Sequence, residues 1–332
     1  MSGPGPTLRW DPVTARHVLV APHRRATPRD VVHRTERVRS AEECPFCPGA
    51  EGRTAPPVAE VLDASGRWCA RSFPNLYPMT VDDPALPAPP RVPWVDAPNG
   101  GAHEVIVETP EHDRDLAQLD DAQGRVVVAL YRDRLRALDA RPGAAVSLLF
   151  KNRGPRAGGS LAHPHAQALS LPVVPSGVAR RDRVARKHFL ATGVSPVVAQ
   201  REAELAHGQR LVERTEHFAV LCPWAPSRSY EVWIVPRFAS PWLGDLPDAH
   251  LDALSIALRR TLLRVRAVTS DADYNLVLRG PAKRNRGAPW ATWHIEVHPR
   301  RGGDAGFELS AGMSVVVTSP EEAAEALRGV AR

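Results

Sequence analysis

The sequence predicts an α+β fold made of two similar units. Three observations carry this: one order of elements occurs twice, matched residues in the two copies are almost equally spaced, and each copy ends on a histidine-bearing strand. In the first copy, residues 103–110 (HEVIVETP) alternate and stop at a proline, as a strand does. From about Asp121 to Leu138, apolar Val126, Leu130, Leu135 and Leu138 recur at helical spacing. A strand from Ala145 to Lys151, a glycine-containing loop and a strand from Ala166 to Leu171 complete the unit. The second copy opens with a strand from Tyr230 to Pro236. Its helix runs from about Asp248 to Val268, with Leu251, Leu254, Ile256, Leu258 and Leu262 among its apolar positions. A strand from Tyr274 to Leu278, a loop and residues 293–299 (WHIEVHP) follow. Glu104 and His163 stand 59 residues apart, and Glu231 and His294 stand 63 apart. The charged, helix-like stretch from Arg180 to Pro196 is the expected connector, which gives units 1–178 and 190–332. Residues 78–100 are crowded with prolines and read as an irregular surface loop, and the first 15 or so residues show no clear pattern.

With 43% hydrophobic and 24% charged residues, the composition is that of a soluble globular protein. The net charge of +6 suits an anionic partner. The basic residues are scattered, with no run of five, so a phosphate-bearing small molecule is expected in preference to nucleic acid. No apolar stretch reaches the roughly 18 residues of a membrane span. Residues 1–12 lack the basic-then-apolar pattern of a secretory leader. Four cysteines in 332 residues do not make a disulfide scaffold, so a reducing compartment, the cytoplasm, is expected.

The most informative stretch is His163-Pro164-His165-Ala166-Gln167. Residues two apart on a strand share a face, so an extended backbone aligns His163, His165 and Gln167. An imidazole there can attack phosphorus while the Gln167 amide donates to a non-bridging oxygen, which divides a transfer between two anions into two steps. The competing reading is a pair of structural or metal-binding histidines. Ahead of this stretch, Gly158 and Gly159 permit close backbone approach, and their N–H groups with the Ser160 hydroxyl can cradle phosphate oxygens. Arg153 and Arg156 add positive charge to the same loop. Upstream, Cys44-Pro45-Phe46-Cys47 has the gap of a zinc knuckle. Pro48-Gly49 after the pair offers no helix N-terminus to lower a thiol pKa, which favours metal over redox use. Histidines must supply the other two ligands, and spacing does not choose among His103, His112 and His163.

Together these segments resemble the galactose-1-phosphate uridylyltransferase family of the histidine-triad superfamily. The likeness runs from Trp10-Asp11-Pro12 and Pro22-His23-Arg24 through the C-x-x-C, Asn75-Leu76-Tyr77-Pro78, Thr109-Pro110-Glu111-His112, Phe150 to Gly154 and Ser160 to Gln167, to residues 293–300 and 320–324. Gln167 stands where the superfamily's hydrolase branch carries a third histidine. The resemblance implies two histidine-triad-like units joined in an antiparallel sheet flanked by helices, as a homodimer. It implies that His165 carries the nucleotidyl group, that Gln167 and Ser160 hold its phosphate, and that Arg24 binds phosphate. Asn75, Tyr77 and Asn152 then lie near the nucleoside. Cys44, Cys47, His112 and His163 are implied as ligands of a structural zinc. The substrates implied are a nucleotide-sugar and a sugar phosphate, with UMP moved from a UDP-sugar. A phosphorylase acting on ADP-glucose or a dinucleotide, and a non-catalytic zinc-stabilised nucleotide binder, are the alternatives.

Three departures from the family pattern bear on this. Arg181 and Glu296 occupy places where some members have a glutamate and a histidine for a second metal, so that site is expected to be absent. The stretch 306–320 is shorter and has Val315-Val316-Val317 where a hexose-associated glutamine is found. Residues 160–165 (SLAHPH) resemble the branch that includes ADP-glucose phosphorylase-like proteins.

Overall fold

A computed structural model describes residues 5–26, 40–83 and 99–330. The chain opens with a hairpin, β1 (Thr7–Asp11) and β2 (Arg16–Val20), where the sequence had shown no pattern. The first unit comprises β3 (Ala59–Leu62), β4 (Trp68–Pro74), β5 (Ala102–Val107), helix α1 (Asp121–Asp139), β6 (Val146–Arg153) and β7 (His165–Leu171). Helices α2 (Ser176–Thr192) and α3 (Pro196–His207) form the connector. The second unit repeats the order with β8 (Leu211–Arg214), β9 (Phe218–Leu221), β10 (Val232–Pro236), α4 (Leu251–Thr269), β11 (Tyr274–Arg279) and β12 (His294–Pro299). A short helix α5 (Gly306–Ala311), a strand β13 (Ser314–Val316) and α6 (Pro320–Arg328) close the chain.

Ten strands make one sheet in the order β3-β4-β5-β7-β6-β11-β12-β10-β9-β8, and every pairing in it is antiparallel. Read from either edge inward the connectivity is the same, third to seventh strand on one side and eighth to twelfth on the other. The two units meet at β6 and β11, where Asn152 faces Asn275 and Lys151 faces Leu276.

Alternation along the strands decides which residues go to which face. Ile106, Leu149, Ala166 and Ala168 from the first unit, with Ile234, Leu276, Ile295 and Val297 from the second, bury against the helices. Val127, Leu135 and Leu138 of α1 and Leu254, Leu258, Leu262 and Val265 of α4 complete a single continuous core. Each of the valine, leucine and isoleucine side chains among them contributes roughly 1.5–3 kcal/mol by leaving water. Where α1 crosses α4, a Cβ on Gly124 would lie 2.4 Å from Ser255 Oγ, so glycine sets the approach of the helices. The α1 boundary follows its cap, since the Asp120 carboxylate accepts the Gln123 N–H. Helix α4 starts three residues later than the periodicity predicts, because Asp248–His250 forms a separate 3-10 turn.

The opposite face carries His103 of β5, His165 and Gln167 of β7, Asn152 of β6, Asn275 and Arg279 of β11 and His294, Glu296 and His298 of β12, interleaved with apolar Val105, Phe150 and Val277. Over the second unit, Val13 packs with Val197, Leu221, Trp233 and Val235, and β13 pairs in parallel with β2. Of the proline-rich stretch, residues 84–98 lie outside the described residues, while Val81 and Gly100 form a parallel bridge. No helix among the described residues is long and apolar enough to cross a membrane.

Candidate active site

Cys44, Cys47, His112 and His163 come together, with one donor atom from each within 4.8 Å of the others. Cys47 Sγ lies 3.3 Å from His112 Nδ1 and 3.5 Å from His163 Nδ1, and Cys44 Sγ lies 3.7 Å from His163 Nδ1. A tetrahedral ion with sulfur at about 2.3 Å and nitrogen at about 2.0 Å sets its ligand atoms roughly 3.3–3.8 Å apart, so this group can hold a metal. His163 Nε2–H donates to the Thr109 carbonyl at 2.8 Å, which turns Nδ1 toward the thiols. Burial pushes His163 down to about 4, leaving the imidazole neutral, as a ligand must be. Burial and the Cys44 thiol push Cys47 up to about 11, so a cation's field is what would favour the thiolate. His103, the third histidine that spacing left open, lies elsewhere on β5.

The sequence expectation that His163, His165 and Gln167 share one strand face is corrected for His163. β7 begins at His165, and His163 sits in the bend before Pro164, outside the ladder. The bend sends the His163 imidazole to the cysteines and leaves its carbonyl for the next histidine. His165 Nδ1–H donates to that carbonyl at 2.8 Å, so the Nε2 lone pair is the free one. His165 is 7% exposed. Burial pushes it down to about 4, against the carbonyl bond that favours the charged form and with help from Lys151. Phe46, inside the C-x-x-C, packs its ring edge-on near both histidines, at 6.1 Å from His163 and 5.2 Å from His165.

Gln167 lies two residues along β7, opposite Val105. Its Oε1 is 2.9 Å from His103 Nε2, and His103 Nδ1 accepts the Met79 N–H at 3.2 Å. Asn75 lies against the same imidazole at 3.3 Å and anchors its backbone N–H on the His103 carbonyl at 2.8 Å. Tyr77 is 88% exposed, its N–H held by Asn75 Oδ1 at 2.9 Å. His103 is the residue that sequence reasoning missed as a site member. Spacing offers it only as a metal ligand, and its position at the start of the strand paired with β7 is the available signal.

The loop after β6 behaves differently from its sequence reading in two respects. The Gly158 and Gly159 N–H groups donate to the carbonyls of Pro155 (3.0 Å) and Gly154 (2.9 Å), so they shape the loop itself. A Cβ on Gly159 would lie 2.8 Å from the Asn152 carbonyl, which is the close approach that glycine allows. Arg153 is committed to Asp115 (3.1 Å) and Asp271 (3.0 Å), tying loop to core in place of a phosphate. Ser160 is exposed at the loop's end. Asn152 Oδ1 accepts from Asn275 Nδ2 at 2.8 Å. Asn152 and Asn275 line a cavity of about 430 Å³ with Phe150, Arg279, His298 and Arg300. Arg24 is exposed on the turn Pro22–Ala26, which Arg25 ties to the Val317 carbonyl and Glu322, and it is not among the cavity's lining residues.

A second group, Glu231, Glu296 and His298, also lies within 4.8 Å. Glu296 receives His298 Nε2 at 2.9 Å, His294 Nε2 at 3.1 Å and Arg279 Nε at 2.6 Å, and Glu231 lies 3.4 Å from His298 Nδ1. Arg181 faces this group too, its charge raised in pKa by Glu296 but held down overall to about 10 by burial and by Arg279.

Comparison with known proteins follows the same lines. Residues 5–175 match the N-terminal domain of galactose-1-phosphate uridyl transferase. An ADP-glucose phosphorylase of Arabidopsis thaliana is 29% identical over 98% of this chain and 93% of its own length. A galactose-1-phosphate uridylyltransferase of Haemophilus influenzae is 27% identical over 77% of this chain and 72% of its own. Among solved structures, the Arabidopsis ADP-glucose phosphorylase with bound ADP-glucose superposes with a TM-score of 0.84 at 26% identity, covering 99% of this chain and all of that one. A uridylyltransferase structure gives 0.75 at 27% identity, with 97% of each chain covered. A family match to more than half the chain, with relatives alike along 77–98% of it, makes this protein a member of the galactose-1-phosphate uridyl transferase family and an enzyme of the nucleotidyltransferase type.

Proposed function

We propose that this protein transfers a nucleoside monophosphate by way of a covalent intermediate on His165. The observation that carries the proposal is the Nδ1–H bond from His165 to the His163 carbonyl, which leaves a buried, neutral imidazole with its Nε2 lone pair free. In the first step that lone pair forms an N–P bond to the α-phosphorus of a nucleotide-sugar. The P–O bond to the sugar phosphate breaks, and the sugar 1-phosphate leaves with the electron pair. In the second step an oxygen of the acceptor phosphate takes the nucleotidyl group and the N–P electrons return to His165. Gln167 and Ser160 hold the phosphoryl oxygens and Arg24 supplies positive charge. Asn75, Tyr77 and Asn152 border the nucleoside, and Gly158 and Gly159 let it approach the backbone.

Zinc is the metal we assign to Cys44, Cys47, His112 and His163, in a structural role. When bound it would lock His163, whose carbonyl orients the nucleophile. Two units, 1–178 and 190–332, a cytoplasmic setting that keeps the thiols reduced and a homodimer belong to the same reading. Exposed Leu76, Tyr77, Met79 and Val81 beside Asn75 are the apolar surface that supports the dimer.

The donor of the first reading is a UDP-sugar and its acceptor a sugar 1-phosphate, after the family type. A second reading, ADP-glucose with inorganic phosphate as acceptor, is favoured by the near full-length likeness to the Arabidopsis phosphorylase. Incubation with UDP-glucose or ADP-glucose labelled at the α-phosphate tests both. Acid-labile, base-stable label is expected on the protein from one donor, and His165→Gly should reduce turnover by about 10³-fold or more while remaining folded. Wild-type turnover in that variant would defeat the proposal.

A further inference from the structure

We infer that His103 is a positioning residue that fixes which end of the Gln167 amide faces the transferred phosphoryl group. The inference rests on the reading of His165 as the nucleotidyl carrier and goes on to the residue beside it. An amide presents an oxygen or an NH₂ in nearly the same volume. Toward a phosphate oxygen the two ends are opposite in effect, since NH₂ donates and the carbonyl repels. Something must therefore decide the orientation of Gln167.

The hydrogen bonds of His103 decide it. A backbone N–H is an obligatory donor, so the Met79 N–H at 3.2 Å makes His103 Nδ1 the acceptor. In a neutral imidazole the proton then sits on Nε2. Nε2–H points at Gln167 Oε1, 2.9 Å away, and can only donate to it. The Gln167 carbonyl is thereby consumed at the side of β5, and its NH₂ is the end left for the substrate side of β7. His103 is 5% exposed, and burial favours its neutral form, so the tautomer persists at neutral pH. Met79, His103 and Gln167 thus form one directional relay, backbone N–H to ring, ring N–H to amide oxygen, amide NH₂ to phosphate. A protonated His103 would break it at Nδ1, and a residue unable to donate would release the amide to turn over.

The test uses the whole protein with UDP-glucose and ADP-glucose as probes. The first-step labelling rate and the donor dissociation constant are measured for wild type, His103→Leu, His103→Gln, Gln167→Ala and the double variant His103→Leu/Gln167→Ala. Loss of one oxyanion donor commonly costs about 10²–10³-fold in rate. His103→Leu is expected to lose about tenfold or more in labelling rate, with donor affinity changed less than about threefold. His103→Gln, whose terminal NH₂ reaches the place of Nε2, should recover most of that loss. In the Gln167→Ala background, His103→Leu should add little. A side chain that merely supports the fold would slow labelling equally in both backgrounds, and that result overturns the inference, as does a His103→Leu rate equal to wild type. The ¹⁵N resonances of the His103 ring give a reading independent of any variant. The Nε2–H tautomer is expected, and the Nδ1–H tautomer overturns the inference. If wild-type protein takes no label from either donor, the function proposed for His165 and this inference fall together. A labelled wild type with additive variants removes this inference alone.

Discussion

The role proposed for His165 rests on its neighbours. Two residues back, the His163 carbonyl takes the Nδ1 proton, and burial keeps the ring neutral, so Nε2 is available at the pH where most proteins work. That carbonyl is in turn held by the His163 imidazole, which is fastened between Thr109 and the two cysteines. A metal held by these four residues would therefore act on the proposed nucleophile through one peptide unit. Replacing Cys44 with serine should reduce bound zinc below one per chain and lower the melting temperature by about 5 °C or more. Metal analysis and a thermal scan check this, and full zinc content with an unchanged melt would defeat the structural-metal assignment. At this scale much was legible. Cys44, Cys47, His163, His165 and Gln167 announce themselves by type and short spacing. His103 does not, because its partner Gln167 is 64 residues away and only strand pairing joins them.

Strands β7 and β12 occupy the same place in the two units and differ in what surrounds their imidazoles. On β7 His165 has one carbonyl partner and a free nitrogen. On β12 a carboxylate stands between two histidines, and His298 has Glu296 at Nε2 and Glu231 near Nδ1. Both of its nitrogens then serve as donors, and no lone pair is left for attack. Burial by itself would lower the His298 pKa, but the charges of Glu231 and Glu296 prevail and hold it up at about 9. Arg279 and Arg181 face the same carboxylates from β11 and α2, and balance the cluster. Because the folded state keeps this proton while the unfolded chain releases it near 6.5, the contribution is fully present below pH 6.5 and is lost as pH rises through 9. Its size is of the order of 3 kcal/mol. Urea unfolding at pH 6, 8 and 10 should show stability falling across that window, and His298→Gln should flatten the slope. An equally steep fall in the variant would assign the effect to other groups. The repeat of elements could be read from periodicity, whereas the occupation of both His298 nitrogens needed Glu231, which reaches His298 only through β10–β12 pairing.

At the scale of the whole molecule, the two units share one sheet and one core. The β6–β11 seam pairs Asn152 with Asn275, and Arg153 bridges to Asp271 across it. The hairpin β1–β2 joins the far end of the chain, with β13 beside β2 and Arg9 paired to Glu321 at 3.0 Å. Fragments 1–178 and 190–332 made separately would each expose a central strand edge and half of the shared core. We expect them to aggregate or stay unfolded alone and to restore nucleotidyl transfer when co-expressed. A fragment that folds cooperatively by itself, with its own sharp melt, would show that the seam is dispensable. The C-x-x-C, the His-x-His-x-Gln stretch and each element are legible in the sequence because they are written in residues a few positions apart, and the twofold repeat is legible because the same order of such local patterns recurs. The tertiary structure decided the seam register, the turning of His163 out of the ladder, the tautomers of His165 and His103, and the engagement of the Gly158 and Gly159 N–H groups. These depend on hydrogen-bond partners set by chain closure and strand pairing, and local pattern carries no information about distant partners.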